Sequence, residues 1–155
     1  VTLRSLSDVP LPSQDVIDLV RHSVVGLPEG STRLATAFYE HLFAMVPEVR
    51  GMFSADIGPQ EQRMADALIA VVQHLDTPDD IADHLRELGY QHYKELGVRA
   101  EHYPHVGRAL IRAVSDVSPT WSSSMSSAWV LVYQWVTAHM IDGAEHAAAR
   151  SENPA

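Results

Sequence analysis

The sequence predicts an all-α chain of six or seven helices, and three observations carry that prediction. Apolar residues recur at three- and four-residue spacing almost from end to end, the period of a helix with one buried face. No segment shows the strand–turn–strand alternation of a β-hairpin. Most periodic segments are bracketed by residues that start or stop helices, Ser, Thr and Pro before them or Gly and Pro after.

The elements follow in order. A polar, proline-bearing lead over residues 1–12 ends at Ser13, an N-cap before Val16, Ile17, Leu19, Val20 and Val24. Gly26-Leu27-Pro28 closes this helix. Ser31 or Thr32 caps the next, whose apolar face runs Leu34, Phe38, Leu42 with Ala35 and Tyr39 alongside. Pro47 suits the first turn of a short helix ending near Phe53. Asp56-Ile57-Gly58-Pro59 is a turn, followed by the stripe Met64, Leu68, Val71, Val72, Leu75. Asp76-Thr77-Pro78 breaks it, and Thr77 caps a helix that carries His92 and is closed by Gly97. Pro104 opens a helix with Val106, Leu110, Ile111 and Val114 inward. Ser118-Pro119 is expected to start the last and longest, which buries Met125, Trp129, Val132, Tyr133, Val136 and Met140. The serines between Ser122 and Ser127 lie on its solvated face. These elements form one domain over residues 13–149, followed by a polar tail over 150–155.

Composition narrows the function classes. The chain has 155 residues and a formal net charge of −9, with its 11 Lys and Arg scattered, so phosphate neutralisation on a nucleic acid is not expected. No apolar run reaches the roughly 18–20 residues of a membrane span. Val1 to Pro12 lacks the apolar centre of a signal peptide, which points to the cytoplasm. With no cysteine, disulfides, thiolate metal sites and cysteine nucleophiles are excluded. His102 and His105 near Glu101 are too few and too weak for a zinc site, and His84 is expected on an exposed face.

His92 stands apart from the other histidines. Ile81, Leu85, Leu88 and His92 are spaced i, i+4, i+7, i+11, on one apolar face. An imidazole there is either a core histidine hydrogen-bonded to a neighbour or a ligand, haem iron being one candidate metal.

The pattern Phe38-Tyr39, Leu42-Phe43, Pro47-Glu48-Val49-Arg50 and Phe53 resembles a motif of bacterial globins, both single-domain haemoglobins and the globin domain of flavohaemoglobins. Gln60, Met64 and Leu68 match the distal helix of that family, and Leu88 and His92 its proximal helix. Gly97-Val98 and Glu101 to Gly107 match the following corner and helix. The resemblance covers about Ser13 to Glu145. It implies a globin fold around a haem b pocket, with dioxygen, nitric oxide and carbon monoxide as ligands. His92 would be the axial ligand through Nε2, its Nδ1–H held by the backbone carbonyl of Leu88. Phe53 would stack on the porphyrin, with Leu88, Val98, Tyr103 and Val106 also at the cofactor.

On the distal side the resemblance implies that Tyr39 donates a hydrogen bond to the gas; its alternative is a core tyrosine bonded to a backbone carbonyl. Gln60 is either a second donor or a solvent-facing residue of the first turn. Met64 would form a soft wall. Arg63 would pair with a haem propionate or stand in solvent.

Two departures from the family matter. Tyr103 matches the tyrosine of a proximal His–Tyr–Glu network, but Ala144 stands where the glutamate would be and Glu145 is one residue late, about 100° around the helix. The interval from His92 to Gly97 is one residue longer than in the family. A histidine without a carboxylate partner donates less charge to iron, which favours reversible binding. The chain has no Gly-rich dinucleotide fingerprint, so oxidation of nitric oxide to nitrate is expected to need a separate flavin reductase. The alternative function is a globin-fold sensor or interaction module that signals through a partner, for which Trp121 and Trp135 are unassigned surface candidates.

Overall fold

The computed structural model describes residues 9–27 and 31–152, the side chains only as far as 146. The expectations that fall on Pro28, on most of the N-terminal lead and on the last three residues lie outside these. Among the described residues the chain is helical throughout, without strands, and no helix is long and apolar enough to cross a membrane. The elements are α1 (Gln14–Val24), α2 (Arg33–Met45), a 3-10 helix (Pro47–Met52), α3 (Gly58–Gln73), α4 (Pro78–Gln91), a π-helical turn (His92–Leu96), a 3-10 turn (Ala100–His102), α5 (Tyr103–Val117) and α6 (Ser123–Glu152).

Local chemistry sets most of the boundaries. Ser13 Oγ accepts from Val16 N at the start of α1. At α2, Thr32 occupies the cap position, but Ser31 Oγ is the oxygen that accepts a backbone N–H, from Arg33. Asp56 accepts from Gly58 N and so starts α3. Thr77 precedes α4 without a side-chain cap; its hydroxyl donates backwards to His74 O.

Two expected boundaries move. The last helix begins at Ser123 rather than at Ser118-Pro119, because Ser118 is extended (ψ 128°) and Ser122 Oγ supplies the cap to Met125 N. At its far end α6 continues to Glu152, past the expected tail boundary at 150.

The helices pack in pairs, α4 on α6 and α2 on α5, with α1 against α6. The α1–α6 contact encloses a polar link: Trp129 Nε1 donates to Ser23 Oγ over 2.8 Å, and Ser23 Oγ donates to Val20 O over 2.6 Å, with Ser23 fully buried. Arg21 reaches from α1 to the C-terminal carbonyls Val72 O and Gln73 O of α3 and to Asp76. Gly107 of α5 faces the Tyr133 ring, whose hydroxyl donates to Tyr103 O.

The α4–α6 crossing is backbone against backbone. A Cβ at Gly89 would stand 2.0 Å from Met140 O, and one at Gly143 2.0 Å from Arg86 O. Neither obstacle is a side-chain end that could swing away, so Gly89→Ala is expected to force the helices apart and cost about 3 kcal/mol. Gly51→Ala, where a Cβ meets nothing within 4 Å, is expected to stay within about 0.5 kcal/mol of the parent. Urea unfolding of the two variants beside the parent measures both; equal midpoints for all three would refute the tight crossing.

Candidate functional site

His92 lies where α4 gives way to the π-helical turn, and its own backbone is still α-helical (φ −60°, ψ −44°). Its ring Nδ1 is 2.8 Å from Leu88 O, one turn back. A carbonyl can only accept, so Nδ1 carries the proton and Nε2 presents its lone pair. Burial lowers the pKa of His92, against a smaller opposing effect of the Leu88 carbonyl, and so favours the neutral ring.

The residues from His92 to Gly97 form this wide turn, in which Val98 N donates to His92 O and Gly97 N to Tyr93 O. Gly97 ends it in the left-handed region at φ +69°. The widening falls after α4, which is undisturbed before it.

Across α2 and α3 an aromatic cluster meets an amide. The Tyr39 ring is 5.5 Å from Phe53, edge to face, and 5.7 Å from Phe43, stacked. Gln60 Nε2 donates to Tyr39 Oη over 3.0 Å, and Arg63 Nη2 donates to Gln60 Oε1 over 2.9 Å. The Tyr39 hydroxyl therefore meets Gln60, not a backbone carbonyl, and Gln60 is half-buried. Burial raises the Tyr39 pKa, with Gln60 and Arg63 acting in the opposite sense. Arg50 secures the loop after Phe53 by donating to Phe53 O, Ser54 O and Ala55 O, and its guanidinium lies 5.3 Å from the centre of the Phe43 ring.

The apolar residues of the site share one property. Phe53, Met64, Leu68, Leu88, Val98 and Val106 are all only partly buried, although they adjoin the fully buried core. The consecutive helices α3 and α4 do not pack closely against each other. Half-covered apolar side chains are what a flat apolar group needs, and His92 adds a nitrogen donor, so the chemistry of these residues fits a haem.

Tyr103 is buried, which pushes its phenol up to about 12. Ala144 is partly buried and Glu145 exposed, so Glu145 does not replace the carboxylate that Ala144 lacks. The remaining histidines have other occupations. His102 Nδ1 accepts from Arg99 N, His105 pairs with Arg108, and His84 is exposed. No cluster of three or more metal-binding side chains occurs among the described residues. Trp135 is 4% exposed and packs on His139, so it is core and not a surface for a partner.

Sequence reasoning missed Phe43 and Arg50 as parts of the site, although both stand in the Phe38–Phe53 motif. The i, i+4 spacing of Tyr39 and Phe43 could have placed the two rings together.

Residues 36–141 match the family model for globins. The chain is 35% identical over 109 residues to a flavohemoprotein of Bacillus thuringiensis subsp. konkukian, covering 68% of this chain and 27% of that protein. It is 30% identical over 125 residues to one of Chromobacterium violaceum, covering 78% and 31%. The chain thus spans less than a third of the length of these relatives. Among solved structures, an engineered carbene transferase from a proposed nitric oxide dioxygenase of Rhodothermus marinus superposes with a TM-score of 0.79 at 26% identity, covering 91% of this chain and 99% of that one. A bacterial globin of Campylobacter jejuni superposes at 0.77 with 24% identity, covering 88% and 99%.

The lowered pKa of His92 has a consequence for stability. As pH falls through the unfolded value of about 6.5, the unfolded chain takes up this proton before the folded one does, so stability declines below that pH. His139, whose pKa burial and Arg86 also lower, acts in the same sense. In haem-free protein, His92→Leu is expected to flatten part of the decline in ΔG of unfolding between pH 6.5 and 5. Denaturant melts across that range measure it, and an unchanged slope would show that His92 titrates as an ordinary histidine.

Proposed function

This chain belongs to the globin family, and from that premise we propose that it holds haem b and binds dioxygen and other diatomic gases reversibly in the cytoplasm. One observation carries the reading: a neutral imidazole with a directed Nε2 lone pair on α4, with half-buried apolar faces and a phenol–amide pair on α2 and α3. Haem supplies an iron with an axial position at which a diatomic gas binds.

His92 would hold the iron through Nε2, and the Leu88 carbonyl fixes the plane of its ring. Phe53, Leu88, Val98 and Val106 would hold the group and keep water from it, with Tyr103 and Met64 beside them. Tyr39 donates a hydrogen bond to the gas, which favours dioxygen over carbon monoxide because dioxygen gathers more negative charge when held there. Gln60 supports Tyr39, and Arg63 donates to Gln60.

Oxidation of nitric oxide to nitrate by the held dioxygen is a second activity of the same site. Each turnover consumes one electron, which a flavin reductase supplies. The likeness to flavohemoproteins and to the Rhodothermus marinus protein supports this activity. The resemblance would put a carboxylate where Ala144 stands, and without it His92 would give less charge to iron, which favours holding dioxygen over activating it.

Reconstitution with haem is expected to give a Soret band that His92→Ala abolishes or weakens, whereas a protein that takes up no haem would sink the proposal. Loss of the Tyr39 hydroxyl in Tyr39→Phe should speed oxygen release about 10- to 100-fold, the range for a lost charge-assisted hydrogen bond. Stopped-flow mixing of the oxygenated protein with nitric oxide, followed by reductase and NADH, tests the second activity. A ferric product that no reductase restores would confine the protein to reversible binding.

A further inference from the structure

A phenol both donates and accepts, and a primary amide can turn either its NH2 or its oxygen toward a neighbour. The direction of the Tyr39–Gln60 hydrogen bond therefore depends on which way the Gln60 amide is turned. Arg63 removes that choice. A guanidinium carries donors only and keeps its charge at every accessible pH. The Gln60 atom 2.9 Å from Arg63 Nη2 must then be Oε1, which leaves Nε2 to face Tyr39 Oη at 3.0 Å.

An amide nitrogen has no lone pair to offer, so Tyr39 accepts from Gln60 and its own proton stays available for another acceptor. The immediate surroundings do not claim that proton. Phe38, Phe43 and Phe53 ring the phenol and bear no oxygen or nitrogen. Glu61, the neighbouring carboxylate, accepts from Thr36 Oγ1 instead. Gln60 and Arg63 are i, i+3 on α3, so the contact follows from helix geometry. Arg63 itself is exposed.

We propose that Arg63 is a positioning residue that locks the Gln60 amide, so that the buried Tyr39 hydroxyl is a hydrogen-bond donor toward the ligand and the site discriminates for gases that accept one. The lock rests on the haem reading above, because it concerns what Tyr39 presents to a gas. Polarity runs one way from the surface to the phenol, from Arg63 through the amide to Tyr39. A residue that never touches the gas thereby sets its selectivity.

Changing residue 63 alone tests the lock, with Tyr39 and Gln60 left in place. Lysine is also donor-only, so Arg63→Lys should preserve slow oxygen release. Glutamate can only accept, so Arg63→Glu should turn the amide over, draw Nε2 to the new carboxylate and present Oε1 to Tyr39. The phenol would then spend its proton on Gln60. In the haem-loaded protein, Arg63→Glu is expected to speed oxygen release about tenfold or more, approaching Tyr39→Phe, with carbon monoxide release changing much less.

If Tyr39→Phe accelerates oxygen release and Arg63→Glu does not, the lock is overturned and the haem reading stands. If the protein takes up no haem, the haem reading fails, and nuclear Overhauser contacts in the haem-free protein still decide the amide orientation. Contacts between the Gln60 side-chain NH2 and the Tyr39 ring should be present in the parent and in Arg63→Lys and lost in Arg63→Glu. Their persistence in all three would overturn the lock.

Discussion

The backbone contact of α4 with α6 is the constraint on which the site depends. Gly89 lies three residues before His92, and its missing side chain lets α4 rest directly on Met140 O; Gly143 does the same from α6 toward Arg86 O. Helices held at that separation by two opposed glycines have little freedom to slide, because any shift drives a side chain into a backbone. The depth of His92 is thereby set before its own hydrogen bond to Leu88 O fixes the plane of its ring. The π-helical turn that begins at His92 lies on the far side of this crossing and leads to Gly97, and α4 runs unbroken up to it.

The two sides of the site are built by different means. On α4 a single imidazole is held by helix geometry and a backbone carbonyl. On α2 and α3 the arrangement is collective: Tyr39 is wedged among Phe38, Phe43 and Phe53, its hydroxyl is tied to Gln60, and Gln60 is tied to Arg63. Aromatic rings confer position with few rotatable bonds, and the polar chain confers direction. Proposed donors are thus concentrated on the distal side, and that concentration is the physical basis for proposing that the protein holds dioxygen.

Much of this was legible in the sequence where the interactions are local. The Ser13 cap, the Gly97 stop, the apolar stripes and the His92–Leu88 contact each lie within a turn or two of helix, and their spacing predicts them. The motif from Phe38 to Phe53 contains the aromatic rings that cluster about Tyr39, although Arg50 was given no role in it. The start of α6 was misplaced because Ser118-Pro119 and Ser122 both carry start signals. The extended backbone at Ser118 decides between them. Thr77 illustrates the same limit: a residue of the right type at the right place donates to a carbonyl instead of capping.

By itself the sequence determined which segments are helical, which face of each is apolar and which side chains can bind iron or donate to a gas, because period, caps and functional groups are properties of neighbouring residues. Only the tertiary structure decided that Ser23 meets Trp129, that Gly89 meets Met140 and that Gln60 takes Tyr39. The Ser23, Gly89 and Tyr39 contacts depend on how side-chain volumes interlock between helices distant along the chain. No local period encodes that.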